Sequence, residues 1–242
     1  EHFVLNSISP TDRQRSNDGT IKSEFRLFDG NSVEGVLIPI PSEEDDEQWG
    51  RMTACISSQV GCSLDCKFCA TGKLDRIRNL NADEMFDQVA IIRQQSEKEF
   101  GVPLSNIVYM GMGEPLLNYA NVLESVEMIT SSDKMGMSPR RITISTAGIA
   151  KMIKKLGDDE VRFNLALSLH AANDEKRSQI MPINESNSLT SLAEALRYFN
   201  EKTGSRVTYE YIIFNNFNDD IPDAIELARF CKNVPCKVNI IE

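Results

Sequence analysis

The chain has 242 residues, of which 41% are hydrophobic and 26% charged, and its formal net charge is −10. This length suits one large globular domain, or one domain with a small appendage, built around a sizeable core. No apolar run reaches the ~18 residues of a membrane-spanning helix, and the N-terminus lacks a signal-peptide pattern. The sequence therefore predicts no membrane association and a reducing, cytoplasmic location for its six cysteines.

The negative net charge argues against a simple nucleic-acid-binding protein, because such proteins usually carry a basic face. The charge is unevenly distributed, however. Residues 43–47 are all acidic and are typical of a solvated loop, whereas Lys73, Arg76 and Arg78 lie close together. Composition alone neither proves nor excludes RNA binding, and these three side chains are either phosphate contacts or ordinary solvated surface.

Residues 1–50 differ in pattern from the rest of the chain. Turn signals at Asp29–Asn31 separate two strand-like runs, 22–28 and 32–40. This segment is predicted to be a small β-hairpin appendage packed on the main domain.

From residue 51 to residue 242, strand-like and helix-like patterns alternate, which favours a parallel sheet with right-handed crossovers. The predicted strands cover residues 53–58, 105–110, 141–145, 161–169, 206–214 and 236–241. The predicted helices cover residues 82–100, a segment around 122–129, 149–156, 174–180, 188–202 and 220–232. Large apolar and small polar residues alternate within several strands, which indicates that one face meets a polar interior. The predicted fold is therefore α/β, a partial (β/α)6 TIM-like barrel.

Three cysteines lie within eight residues, Cys62, Cys66 and Cys69, with the spacing C-x3-C-x2-C. Soft thiolates select zinc, Cu(I) or iron–sulfur clusters. Structural zinc sites usually have four ligands, so three thiolates favour a [4Fe–4S] cluster with one iron open to a small molecule. A zinc site with a distant fourth ligand, and a disulfide with a spare thiol, are the alternatives.

Other candidate site residues follow the carboxyl ends of the predicted strands, where α/β proteins place their chemistry. Gly113–Glu114 follows the second strand, Ser145 ends the third, and Ser168–His170 ends the fourth. Each also has a structural interpretation, as a tight turn, a polar strand end or a hydrogen-bonded core histidine. Cys55, on the first strand, is either a buried structural thiol or a reactive one.

These residues together make the chain resemble the radical S-adenosylmethionine (SAM) enzymes, and more narrowly the ribosomal and transfer RNA adenine-C2 methyltransferases. The cysteine spacing marks the superfamily, and the remaining segments mark the narrower family. The matching segments are Ser57–Cys62, Gly111–Asn118, Arg140–Thr146, Ser168–Ala171, Met181–Asn184 and Pro235–Asn239.

The resemblance implies roles for individual residues. The open iron of a [4Fe–4S] cluster on Cys62, Cys66 and Cys69 would bind SAM. Glu34 matches a carboxylate assigned as a proton acceptor, and Cys55 matches a thiol that helps to resolve a covalent protein–RNA adduct. The positions that match SAM contacts are Gly113, Glu114, Ser145, Ser168, Leu169 and His170.

The resemblance also implies a reaction: methylation of C2 of an adenosine in 23S rRNA, and in tRNA. C2 of adenine is not nucleophilic, so the family first methylates its own C-terminal cysteine and then forms a carbon radical there. The implied partners are these RNAs and an electron donor such as flavodoxin or ferredoxin, with the enzyme acting as a monomer. This chain ends before that cysteine and before a cofactor-contacting asparagine, and it lacks the family's N-terminal helical region. We therefore expect a core fragment that binds a cluster without methylating RNA.

Two alternative functions remain open. One is the related C8-methylating enzyme that confers antibiotic resistance, although Pro115–Asn118 fits the C2 group better. The other is a non-catalytic iron–sulfur module for RNA binding or electron transfer, which would have no need for an open iron.

Overall fold

The structure is a computed structural model that describes residues 8–42 and 49–242. The predicted acidic loop at 43–47 lies outside the described residues. The chain divides into two compact units: the first comprises the described residues up to Cys62 together with Asp75–Ile142, and the second comprises Ser63–Leu74 and Thr143–Glu242. Within the described ranges, no helix combines the length and apolar character needed to cross a bilayer.

The strands and helices follow one another in the predicted alternation. The strands are β1 (Ser9–Arg15), β2 (Ile21–Arg26), β3 (Ser32–Pro41), β4 (Trp49–Cys55), β5 (Gln59–Val60), β6 (Arg78–Asn79), β7 (Asn106–Tyr109), β8 (Ile142–Thr146), β9 (Asn164–Ser168), β10 (Val207–Ile212) and β11 (Cys236–Ile241). The helices are α1 (Ala82–Phe100), α2 (Tyr119–Thr130), α3 (Ala150–Asp158), α4 (Asp174–Ile180), α5 (Leu189–Thr203) and α6 (Ile221–Phe230).

In the first unit, β1, β2, β3 and β4 form an antiparallel meander, and β7 adds to β4 in parallel. Helix α1 covers one face of this sheet. It begins at a capping box between Asn81 and Glu84 and ends at Gly101, whose φ of 66° only glycine adopts easily. Its buried Ile92 packs close to Gly35 of β3.

The predicted hairpin is confirmed, and its tip is held by an arginine. Arg78 donates to Asp29 at 2.5 Å and to both carboxylate oxygens of Glu84 at 2.7 and 2.8 Å. The guanidinium keeps the pKa of Asp29 well below its usual range. Because Arg78 already binds two carboxylates, it is not an available phosphate contact, whereas Lys73 and Arg76 are exposed.

In the second unit, β8, β9, β10 and β11 are consecutive parallel neighbours, as predicted. Leu165 and Leu167 of β9 are fully buried. A Cβ at Gly148 would lie 3.1 Å from Leu192 of α5 and 3.2 Å from Leu167, so helix and sheet approach closely there. This packing fixes the loop that follows β8.

Two features were not predicted. Strand β1 has seven exposed residues without hydrophobic alternation, so its sequence gives no strand signal, and pairing with β2 determines its conformation. The β5–β6 ladder has only two residues on each side, too few for a periodic pattern. The assignment of residues 1–50 as a separate accessory segment stays a prediction.

The close approach of α1 to β3 predicts a packing defect in G35A. The new Cβ would lie 2.5 Å from the Phe25 ring and 3.2 Å from Ile92, so the free energy of unfolding should fall by about 1–3 kcal/mol. Urea unfolding measures this loss. In the F25L background, where the ring is absent, G35A should cost clearly less; an equal cost in both backgrounds would contradict the proposed clash.

Candidate functional site

The cysteine loop forms successive tight turns around Cys66 and Cys69. The amide of Cys69 donates to the carbonyl of Cys66, and that of Gly72 donates to the carbonyl of Cys69, both at 3.1 Å. Asp65 has a positive φ of 52°, and a Cβ at Gly72 would lie 2.8 Å from the Cys66 carbonyl. The loop therefore requires this backbone path and a residue without a side chain at position 72.

Two contacts anchor the same loop within the second unit. The amide of Lys67 donates to the carbonyl of Ile180, the last residue of α4, at 2.9 Å. The Phe68 ring meets the His170 ring edge to face at 4.7 Å and lies 5.8 Å from Phe214. The two residues between Cys66 and Cys69 are thus fixed to the end of α4 and to the loop after β9.

All six cysteines lie in the described part of the chain and are unbridged thiols. Within residues 8–42 and 49–242, no three His, Cys, Asp or Glu side chains are gathered as a metal site. The donor chemistry nevertheless fits an iron–sulfur cluster, because Cys62, Cys66 and Cys69 are partly exposed soft ligands within one short segment. Ligation by these three thiols stays a prediction.

In the first unit, Gly113 is fixed by its contact with Gln59. Its φ is 97°, and an added Cβ would lie 2.5 Å from the Gln59 Cβ. The buried Gln59 amide accepts a hydrogen bond from the Glu114 N–H at 2.8 Å and donates to Asn79 at 2.8 Å. Only glycine satisfies both the conformation and the available space at position 113.

Glu114 is 3% exposed, and its Oε1 accepts a hydrogen bond from the Leu116 N–H at 3.0 Å. The carboxylate thereby caps the short helical turn Pro115–Asn118. The structural interpretation raised from the sequence is correct for this oxygen, and the cofactor contact of Glu114 stays a prediction.

Ser145 and Ser168 come together in the second unit. Ser145 pairs with Ala166 in the β8–β9 register, which places Ser168 just beyond it on the neighbouring strand. Their hydroxyl oxygens are 3.5 Å apart. The two predicted residues therefore form one polar pair at the carboxyl ends of adjacent strands.

Leu169 and His170 are held mainly through their backbones. The Glu210 carbonyl accepts from both of their N–H groups, at 3.0 and 3.2 Å, and the Asn218 amide donates to the His170 carbonyl at 2.6 Å. The His170 Nδ1 accepts from the Ile212 N–H at 3.1 Å. Burial, assisted by the charge of Arg177, lowers the pKa of His170 to about 3. His170 is therefore neutral, with its proton on Nε2.

Glu34 and Cys55 lie on the same face of the β3–β4 pair in the first unit. Cys55 pairs with Val36, so Glu34 is its diagonal neighbour two residues along β3. Glu34 is exposed and receives a hydrogen bond from Lys22 Nζ at 2.9 Å. Burial raises the pKa of Cys55 to about 11, with a backbone hydrogen bond from Met110 opposing the shift. Cys55 is therefore a protonated thiol at neutral pH.

The sequence did not single out Arg177, which is completely buried on α4. Its guanidinium donates to the backbone carbonyls of Ala147 (2.6 Å), Ser168 (3.1 Å) and Leu169 (3.1 Å). A charged residue on a short helix is normally predicted to lie at the surface, because arginine is rarely fully buried. The only available signal was its position between two segments that match the family.

A separate groove of about 480 Å³ lies between the ends of α4, α5 and α6 in the second unit. Arg197, Glu226 and Arg229 contribute to its lining. It includes none of the predicted site residues, so the groove lies apart from the predicted chemistry.

Comparisons with a family profile and with known sequences agree on one family. A profile of the radical SAM superfamily matches residues 56–228. The chain is 59% identical, over its full length, to a Christiangramia forsetii protein named "Probable dual-specificity RNA methyltransferase RlmN", and spans 66% of that protein. It is 42% identical to the Campylobacter lari protein named "Dual-specificity RNA methyltransferase RlmN", again over its full length, and spans 69% of it.

Comparison with a solved structure agrees with these sequence matches. The crystal structure of a radical SAM methyltransferase from Sphaerobacter thermophilus superposes with a TM-score of 0.90 at 39% identity, over 98% of this chain and 67% of the other. The predicted α/β fold of the radical SAM type is thereby confirmed. The chain spans about two thirds of the length of the curated relatives that it matches. It belongs to the radical SAM superfamily and, within it, to the family of the dual-specificity RNA methyltransferases.

Proposed function

We propose that this chain is the core of a radical SAM methyltransferase acting on C2 of adenosine in 23S rRNA and in tRNA, by way of a methyl-cysteine intermediate. The observation that carries the proposal is the 59% identity, over the whole of this chain, to a relative named "Probable dual-specificity RNA methyltransferase RlmN". The match of Ser57–Cys62 and Gly111–Asn118 to the adenine-C2 family supports the regiochemistry.

We propose that Cys62, Cys66 and Cys69 hold a [4Fe–4S] cluster. When bound and reduced, such a cluster would supply the single electron that cleaves a C–S bond of the SAM sulfonium, giving methionine and a 5′-deoxyadenosyl radical. The protein's part is to fix the thiols: the turns at Asp65 and Gly72 and the anchor at Ile180 hold two of them on one rigid loop.

We propose that SAM binds along the carboxyl ends of the strands. Gly113 offers its backbone groups, which the packing against Gln59 holds in one conformation. The Ser145–Ser168 pair offers two hydroxyls that can donate or accept. Glu114, Leu169 and His170 complete the proposed set, with His170 acting through its neutral ring and its fixed backbone rather than as a base.

We propose that Glu34 accepts a proton and that Cys55 helps to resolve the covalent adduct with RNA. Their position on one face of β3 and β4 supports a shared task. Lys22 Nζ donates to a Glu34 carboxylate oxygen at 2.9 Å and so holds that side chain in place on this face. Cys55 holds its proton strongly, so its thiol must lose that proton to a base before its sulfur can attack.

The remaining parts of the proposal concern partners. Lys73 and Arg76 are exposed cations next to the cysteine loop and suit contacts with RNA phosphates. The target base must be turned out of its stack to reach the site. We further propose a flavodoxin- or ferredoxin-type electron donor, a monomeric enzyme and a cytoplasmic location, which the RNA substrate and the clustered thiols favour.

Cluster ligation predicts a sharp difference between cysteines. After anaerobic reconstitution, C62A, C66A and C69A should each lose most bound iron and sulfide and the visible thiolate-to-iron absorption, because each removes one of three ligands. Iron and sulfide analysis measures this. C231A, a matched thiol loss outside the loop, should retain the wild-type content; equal retention by all four variants would exclude the proposed ligands.

The low pKa of His170 predicts a pH-dependent stability. Below its ordinary pKa of 6.5 the unfolded chain takes up a proton that the folded chain refuses, until the pH approaches 3. Stability should therefore be lost as pH falls from 6.5, by up to about 1.4 kcal/mol per pH unit from this group. H170N should flatten the profile, because asparagine does not titrate. The variant should still fold, since the asparagine side-chain oxygen can accept from the Ile212 N–H and asparagine tolerates the positive φ. Urea unfolding between pH 4 and 8 tests this; parallel profiles for H170N and wild type would contradict it.

The regiochemistry is tested on the complete protein that carries this chain. Incubation with SAM, a reductant and unmethylated 23S rRNA or tRNA should yield 2-methyladenosine on nucleoside mass spectrometry. A catalytically inactive C66A variant is the control for pre-existing modification. Exclusive 8-methyladenosine would identify the C8-methylating alternative, and no methylated adenosine in either RNA, from a cluster-loaded protein, would favour a non-catalytic module.

A further inference from the structure

Arg177 is a buried cation without a hydrogen-bonded carboxylate among the described residues. Its side chain is 0% exposed. Its acceptors are the carbonyls of Ala147, Ser168 and Leu169 and the side-chain oxygen of Asn184, the last at 2.8 Å. All four acceptors are uncharged. A buried arginine normally pairs with an anion, because removing its charge from water is costly.

These hydrogen bonds give Arg177 a fixed geometry. Its planar fork joins the segment after β8, at Ala147, to the end of β9, at Ser168 and the following Leu169. Asn184 is itself held, because its amide donates to Asp174 Oδ1 and to Ser178 Oγ, both at 2.9 Å. The guanidinium therefore cannot turn away from the carboxyl ends of these two strands.

The same helix connects Arg177 to the cysteine loop. Three residues after Arg177, the carbonyl of Ile180 accepts the hydrogen bond of Lys67, which follows Cys66 directly. Electrostatics links the two sites as well: the largest charge interactions of Arg177 are with Cys66 and Asp174. Burial lowers the pKa of Arg177 to about 10, which still leaves it positively charged at neutral pH.

We propose that Arg177 is a positioning residue whose buried positive charge stabilises negative charge at Cys66 and makes a cluster bound there easier to reduce. The inference rests on the proposed function, since it requires ligation by Cys66. One-electron reduction adds one negative charge to a cluster already surrounded by thiolates. A fixed cation in a low-dielectric interior favours the reduced state, and net charge and burial are known determinants of cluster potentials.

The test is a redox titration of the reconstituted chain, followed by EPR. R177M and R177Q remove the charge, and both should shift the midpoint potential to more negative values. R177K keeps the charge but not the fork, so its potential should stay near wild type while its melting temperature falls. R197Q removes an exposed arginine of the same unit and serves as the charge-matched control, with no expected shift.

Each outcome decides the inference. If the midpoint potentials of R177M and R177Q equal that of R197Q, Arg177 has only a structural role and the inference is wrong. A second case is that the neutral variants fold, as judged by circular dichroism, and yet hold no iron. In that case, retention of iron by R177K supports a role for the positive charge of Arg177. Loss of iron in R177K as well shows that only the fork geometry matters and overturns the inference. Absence of a cluster in the wild-type chain would instead count against the proposed function.

Discussion

Buried backbone at the carboxyl ends of the strands must find hydrogen-bond partners, because an unpaired peptide group away from water is costly. In this protein long polar side chains supply them. Gln88 both donates to and accepts from Ser57, and Gln59 binds the Glu114 N–H, in the first unit. In the second unit, Arg177 donates to the Ala147 carbonyl and Asn218 donates to the His170 carbonyl. The loops that carry the candidate site are therefore rigid without being regular.

This rigidity explains the chemical character of the site residues. His170 cannot act as a base near neutral pH, since its Nδ1 is occupied by a backbone N–H and its ring is buried. Glu114 caps a turn with one carboxylate oxygen. The hydroxyls of Ser145 and Ser168 face one another. These four side chains are thus arranged for hydrogen bonding rather than for proton transfer, which agrees with the proposal that they bind and orient a ligand.

The elements were predictable wherever local signals were complete. Helix α1 has the predicted bounds because a capping box and a terminal glycine mark both ends, and β11 has them as well. Strand β1 was not predictable, because tertiary pairing rather than pattern creates it. The candidate site residues were chosen from motifs at strand ends, and their role stays a prediction. The contacts that hold them in place could not be predicted. Burial of Arg177 and capture of Arg78 by two carboxylates depend on residues distant in sequence.

The central claim is that the three-cysteine loop presents a cluster with one iron open to SAM. EPR of the reduced cluster in the reconstituted chain, recorded with and without SAM, tests it most directly. A changed spectrum is expected on addition of SAM, because its amino and carboxylate groups would bind the open iron. The same change is expected in C231A, which keeps all three loop cysteines. An identical spectrum with and without saturating SAM would contradict the claim.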